Sequence, residues 1–185
     1  MLVTRRTVIV GVASAVLVPS AGFGHVGAFK LDAKYEPQRV SFSGYPAGTI
    51  VVDPANRFLY FMEDSITATR YGVGVGRAGL AFKGRAVVGR KAEWPWWRPT
   101  DNMIQRSPKK YARYAKGMPG GPRNPLGARA LYLYRNGSDT MFRIHGTTEP
   151  WSIGQAVSNG CIRMINDHVI ALYERVPIGT PVVVI

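Results

Sequence analysis

The chain has 185 residues, 46% hydrophobic and 19% charged, which suits one domain plus a targeting segment and excludes a disordered polymer. Its 21 glycines and 13 prolines favour a turn-rich, mainly β protein over a helical bundle. The formal net charge of +13 attracts polyanions in general. Short clusters such as Lys109-Lys110 and Arg85 to Lys91 stand in no recognisable nucleic-acid module, so no nucleic-acid partner is expected.

Residues 1–28 read as a signal peptide. Arg5-Arg6 supply a positive start, Val8 to Val18 form an apolar run too short to span a bilayer, and Pro19 breaks it. Small residues at Ser20-Ala21 and Gly27-Ala28 offer two cleavage sites, and the leader fits either a general secretory or a twin-arginine route. Export to the periplasm or cell envelope is the expectation. Removing this segment lowers the charge only from +13 to +11, because Arg5 and Arg6 are its only charged residues.

Residues 29–47, with Pro37, Gly44 and Pro46, read as a linker or N-terminal arm, and 48–185 as the folded domain. Thr49 to Asp53 and Phe58 to Met62 form a β-hairpin across Pro54-Ala55-Asn56-Arg57. Thr69 to Gly76 reads as one further strand. Its Gly72, Gly74 and Gly76 have no helix pattern after them and so make a flat or bulged strand, not a phosphate loop. Residues 93–126 are a long excursion. Trp94, Trp96 and Trp97 open it, Thr100 caps a helix through Met103 to about Lys116 that Pro108 interrupts, and Met118 to Pro125 is a Gly/Pro loop. Clustered tryptophans are usually core, but on so long a loop they are also placed to roof a cleft.

Ala130 to Tyr134 and Thr140 to His145 flank Asn136-Gly137, a strong hairpin signal. Strand alternation puts Phe142 and Ile144 on one face and Met141, Arg143 and His145 on the other. Asn166 or Asp167 caps a helix to Arg175, and Pro181 to Ile185 closes the chain with an apolar strand.

Cys161 is the only cysteine, so no intramolecular disulfide forms; on composition alone it is a small buried hydrophobe. Its neighbours add a second reading. A cysteine nucleophile needs a base, here His145, and backbone donors for the developing oxyanion, here the turn at Gly160-Cys161. Arg163 shares a face with Cys161 if the segment is extended, where it stabilises a thiolate or clamps a carboxylate. Spacing alone leaves both readings open.

The stretch His145-Gly146-Thr147, followed by Ser158-Asn159-Gly160-Cys161-Ile162-Arg163, resembles the signature of the L,D-transpeptidase catalytic (YkuD-type) family. Asn124 to Gly127, Ala130 to Tyr132, Ile153-Gly154 and Pro177 to Val183 extend the resemblance over roughly residues 48–185. It implies a β-sandwich-like domain with one or two short helices and a cleft holding the cysteine. It implies Cys161 as nucleophile, His145 as base, the Gly146 carbonyl orienting the imidazole, Ser158, Asn159 and Gly160 shaping an oxyanion turn, and Arg163 binding the donor. Many members carry a second histidine where this chain has Asn159, which makes a two-histidine mechanism unexpected here. The implied reaction releases D-Ala from a tetrapeptide stem of peptidoglycan, leaves a thioester, and passes the acyl group to the amine of a second stem as a 3→3 cross-link. It needs no metal or organic cofactor, and carbapenem-type β-lactams would acylate the same thiol.

The same site serves hydrolysis, as an L,D-carboxypeptidase or endopeptidase, or attachment of proteins to the wall. A sortase-like enzyme and a silent wall-binding module are more distant alternatives. Sequence leaves the acceptor and the oligomeric state open. His168 is expected at the surface, and Glu149 and Asp167 are read as surface or capping groups without ion-pair partners.

Overall fold

A computed structural model describes residues 29–80 and 82–185; the signal-peptide reading of 1–28 lies outside them. Eleven strands and three α-helices are present among these residues. The first hairpin pairs β2 (Ile50–Asp53) with β3 (Phe58–Met62). Its turn is set by the Asp53 carboxylate, which accepts from the Asn56 amide N–H at 3.0 Å, and by Arg57 at φ 63°. β4 (Thr67–Gly72) adds antiparallel to β3. The arm is more than a linker: β1 (Gln38–Ser41) pairs antiparallel with β4 from Arg70 to Thr67.

The expected strand over 69–76 is two, β4 and the short β5 (Val75–Gly76), broken at Val73-Gly74. β6 (Gly84–Glu93) runs antiparallel to β7 (Arg129–Arg135), which pairs with β8 (Ser138–His145). The Asn136-Gly137 turn has φ of 50° and 77°, the left-handed values such a tight hairpin needs. β9 (Ala156–Ser158) pairs in parallel with β5, β10 (Ile162–Arg163) in parallel with β8, and β11 (Pro181–Val184) lies between β2 and β6.

The main sheet therefore runs β1-β4-β3-β2-β11-β6-β7-β8-β10. Gly74, just past β4, the second strand from one end, pairs with Arg163 of β10 at the other end: the Gly74 N–H donates to the Arg163 carbonyl (2.9 Å), and the Arg163 N–H to the Gly74 carbonyl (2.7 Å). The sheet curls until the segment leaving β4 meets β10. A Cβ on Gly74 would stand 2.6 Å from the Ser152 carbonyl oxygen, so the glycine allows this closure. Ile50, Leu59, Leu131, Ile144, Ile162, Met164 and Leu172 pack into one core inside the curl. Burying each such aliphatic side chain contributes about 1.5–3 kcal/mol.

α3 (Asn166–Arg175) fills the core with Val169 and Leu172. Asn166 begins this helix but does not cap it; Ile165 holds the cap position without a side-chain bond. The excursion is a broken helix. Thr100 Oγ1 accepts from the Met103 N–H (3.2 Å) to start α1 (Asp101–Arg106), Ser107 breaks the turn, α2 (Pro108–Tyr111) follows, and a 3₁₀ turn covers Ala112–Tyr114. Pro108 opens the second helix because it lacks the N–H needed to continue the first. Asn124 is buried and ties the excursion's base, donating to the Pro95 and Pro119 carbonyls (both 3.0 Å) and accepting from the Leu126 N–H (2.9 Å).

Candidate active site

β8 and β10 set the site. In their parallel ladder Ile162 faces Ile144 and Arg163 faces His145, and the Met164 N–H donates to the His145 carbonyl (2.8 Å). Pairing the motif strand to the end of the histidine strand brings the thiol and the imidazole into the same walls. Cys161, His145, Ser158, Asn159 and Arg163 all line one cavity of about 260 Å³.

β8 departs from regular alternation on its way there. Met141 has φ of 63° and an exposed side chain, and the register with β7 shifts between Tyr132 and Tyr134. Met141 therefore leaves the expected face, while its carbonyl oxygen comes to 4.0 Å from Cys161 Sγ. Arg143 is buried beside it, held by Asp139 through two bonds (2.7 and 2.8 Å) and stacked over the Tyr132 ring.

His145 is buried, and its Nδ1 lies 2.5 Å from the Gly146 carbonyl oxygen. A carbonyl only accepts, so Nδ1 carries the proton and Nε2 is the basic nitrogen. Burial pulls the imidazole pKa down to about 3; the charges of Arg163 and Arg143 act in the same direction, and the Gly146 and Leu126 carbonyls oppose it. Cys161 is half-buried. Burial pushes its thiol up, more than the Arg143 backbone N–H and the charges of Arg143 and Arg163 pull it down. The resting pair is a neutral thiol and a neutral imidazole. Arg163 does favour a thiolate, but desolvation outweighs it.

Ser158 holds the turn. Its hydroxyl donates to the Cys161 carbonyl (2.7 Å) and accepts from the Gly160 N–H (3.1 Å), two buried bonds of about 1 kcal/mol each. The Gly160 N–H is thereby engaged and is not an oxyanion donor in this conformation. Gly160 itself has φ of 124°, and a Cβ there would meet the Phe142 ring at 2.5 Å and the Leu80 carbonyl at 2.6 Å. Asn159 accepts from Arg77 (3.0 Å) and donates to the Tyr111 hydroxyl (3.1 Å), which ties α2 to the turn before Cys161. The excursion is a roof. Trp97, Lys110, Tyr111, Arg113, Tyr114 and Arg123 line the cavity with the motif residues, and Trp97 packs edge-on to both tyrosines. Trp94 and Trp96 remain largely exposed.

Three expectations are corrected. Glu149 is paired: its Oε2 accepts from Arg163 Nη1 at 2.6 Å, so the guanidinium already has a carboxylate. His168 is buried, with Nε2 3.2 Å from Glu36 of the arm and its ring tilted against Tyr71. Asn166 braces the histidine loop. Its Oδ1 accepts from the Ala128 (3.1 Å) and Thr147 (3.2 Å) N–H groups, and its Nδ2 donates to the Thr147 carbonyl (3.2 Å). A Cβ on Gly146 would lie 2.1 Å from that Oδ1, so the glycine makes room for the asparagine amide. Sequence reasoning missed this role because an asparagine at a helix start looks like a cap. No cluster of three or more His, Cys, Asp or Glu suited to a metal occurs among the described residues.

A thiol, a neutral imidazole with its basic nitrogen fixed and a glycine-built turn in one cavity are the parts of a cysteine acyl-transfer site. Comparison with known proteins places it further. The family model for the L,D-transpeptidase catalytic domain matches residues 47–184. The probable L,D-transpeptidase ErfK/SrfK of Escherichia coli is 37% identical over 152 residues, 80% of this chain and 47% of that protein, so the chain spans about half the length of this relative. A solved Brucella melitensis structure named as a probable carnitine operon oxidoreductase is 56% identical, with a TM-score of 0.58 over 84% of this chain and 96% of that one. L,D-transpeptidase 3 of Mycobacterium tuberculosis, solved with a faropenem-derived adduct, shares the fold at 16% identity, with a TM-score of 0.51 over 74% of this chain and 59% of that one. The chain belongs to the L,D-transpeptidase catalytic-domain family.

Proposed function

We propose that the protein is an exported peptidoglycan L,D-transpeptidase that forms 3→3 cross-links through a Cys161 thioester. The carrying observation is that Cys161 and His145 line one cavity, with the imidazole proton fixed on Nδ1 by the Gly146 carbonyl. Nε2 takes the thiol proton as Sγ attacks the carbonyl between the third residue of the donor stem and its terminal D-Ala. The tetrahedral oxyanion rests on the Cys161 backbone N–H, since Ser158 occupies that of Gly160. The imidazolium then gives its proton to the departing D-Ala amine. An amine of a second stem attacks the thioester, losing its proton to Nε2, and the thiol is regenerated.

Formation of imidazolium is opposed by burial and by Arg163, which makes the proton a short-lived visitor on His145 and favours its transfer to the leaving group. Arg163, matched by Glu149, orients the cavity wall more than it clamps a donor carboxylate alone. A carbapenem-type β-lactam acylates the same thiol. The leader at 1–28 directs the protein to the periplasm or cell envelope.

The test is mass spectrometry of products from purified disaccharide-tetrapeptide, beside a Cys161→Ala control. Cross-linked dimer with loss of D-Ala, absent from the control, is the expected result. Tripeptide without dimer would replace transfer by hydrolysis. No Cys161-dependent product would overturn the reading.

A further inference from the structure

The excursion over the site is unusually charged. Residues 94–126 hold seven lysines and arginines and one acid, Asp101. Asp101 pairs with Arg98 (2.8 Å), away from the cavity lining. Lys110, Arg113 and Arg123 line the cavity, are exposed, and have no carboxylate partner among the described residues. Some cations elsewhere have carboxylate partners: Arg129 with Glu93, Arg143 with Asp139, Arg175 with Glu63. Glu149 is the one carboxylate in the cavity wall, and Arg163 already engages it. The walls thus carry four cations against one anion. With its imidazole neutral, His145 adds no charge.

Like charges around one concavity repel each other and concentrate anions there. The occupant must also present a carbonyl to Cys161, which excludes a polyanion lacking acyl groups. Building on the transpeptidase reading, we propose that Lys110, Arg113 and Arg123 make this enzyme selective for stem peptides with free side carboxylates, and that it discriminates against stems in which those carboxyls are amidated. The roof acts as the specificity element, while Cys161 and His145 perform chemistry that is indifferent to the side carboxyls.

The experiment measures binding separately from turnover. Cys161→Ala protein is titrated calorimetrically with a disaccharide-tetrapeptide whose side carboxyls are free, and with the same compound amidated. At low ionic strength the free-carboxyl stem is expected to bind about tenfold or more tightly, a preference that shrinks as salt screens it. Adding Arg113→Gln and Arg123→Gln brings the two affinities toward equality, whereas Arg39→Gln on β1 leaves the ratio unchanged. Equal affinity for the two stems, or a ratio unmoved by the double substitution, overturns the proposal. Turnover of both stems by the wild-type enzyme reads the other question. Cys161-dependent products with equal binding remove the charge selectivity and leave the transpeptidase. Selective binding with no product from either stem removes the transpeptidase and leaves the selectivity.

Discussion

Arg163 stands directly opposite His145 in the parallel ladder between β10 and β8. A guanidinium is thus fixed by backbone pairing beside the imidazole, close enough for its charge to be the second largest influence on the ring after burial. Removing that charge should raise the His145 pKa. Arg163→Met is expected to move the NMR titration of the His145 ring upward from about 3; a titration that stayed put or fell would mean the guanidinium is screened from the ring.

The resting thiol and imidazole are both neutral, which sets a reactivity profile. Alkylation of Cys161 by iodoacetamide should be slow at pH 7 and climb through the alkaline range as the raised thiol ionises. An ion-paired cysteine would instead show a reactive plateau reaching into acid. Observation of such a plateau below pH 6 would show that bound water or movement of the roof reverses the desolvation.

Stability should fall in acid for a related reason. With a native pKa near 3 and an unfolded value near 6.5, His145 is neutral in both states above pH 6.5, and its contribution is fully present there. Between these values only the unfolded chain takes up the proton, so stability declines as pH drops, by at most about 1.4 kcal/mol per unit from this one group. Below about 3 the decline from His145 ends. Urea unfolding at pH 7, 5 and 4 checks it, with His145→Asn expected to show the shallower slope; parallel slopes would place the acid sensitivity elsewhere.

Asn166 joins three backbone groups behind the histidine loop. Asn166→Ala should cost about 2–3 kcal/mol, since two N–H donors and a carbonyl lose their partner together. Asn166→Asp keeps the acceptor but faces the Thr147 carbonyl with a carboxylate, so it should not restore stability. Thermal unfolding of the two variants decides this, and an unchanged melting temperature for Asn166→Ala would show that water replaces the amide without loss.

The parts of this molecule that were legible in the sequence are those where local chemistry and tertiary packing agree. Asn136-Gly137 demands left-handed backbone and obtains it, and alternating apolar residues around it become β7 and β8. The motif around Cys161 was legible through its resemblance, because composition alone made the lone cysteine an inert core residue. Contacts between distant segments were not. Nothing local marks Glu149 as the partner of Arg163, or Tyr111 as the neighbour of Asn159, 48 positions away. Met141 leaves the face it shares with Arg143 and His145 by alternation, because a bulge shifts the strand and no turn residue announces it.

β10 is only two residues long, yet it is hydrogen-bonded along both edges, to β8 on one side and to Gly74 on the other. The roof meets the same turn through side chains, Tyr111 on Asn159. This arrangement separates what can vary from what cannot. Insertions, charge changes and new aromatic residues can accumulate in 94–126 with the backbone around Cys161 undisturbed, so the roof can diverge while the strand pairing that holds Cys161 and His145 to one cavity is kept.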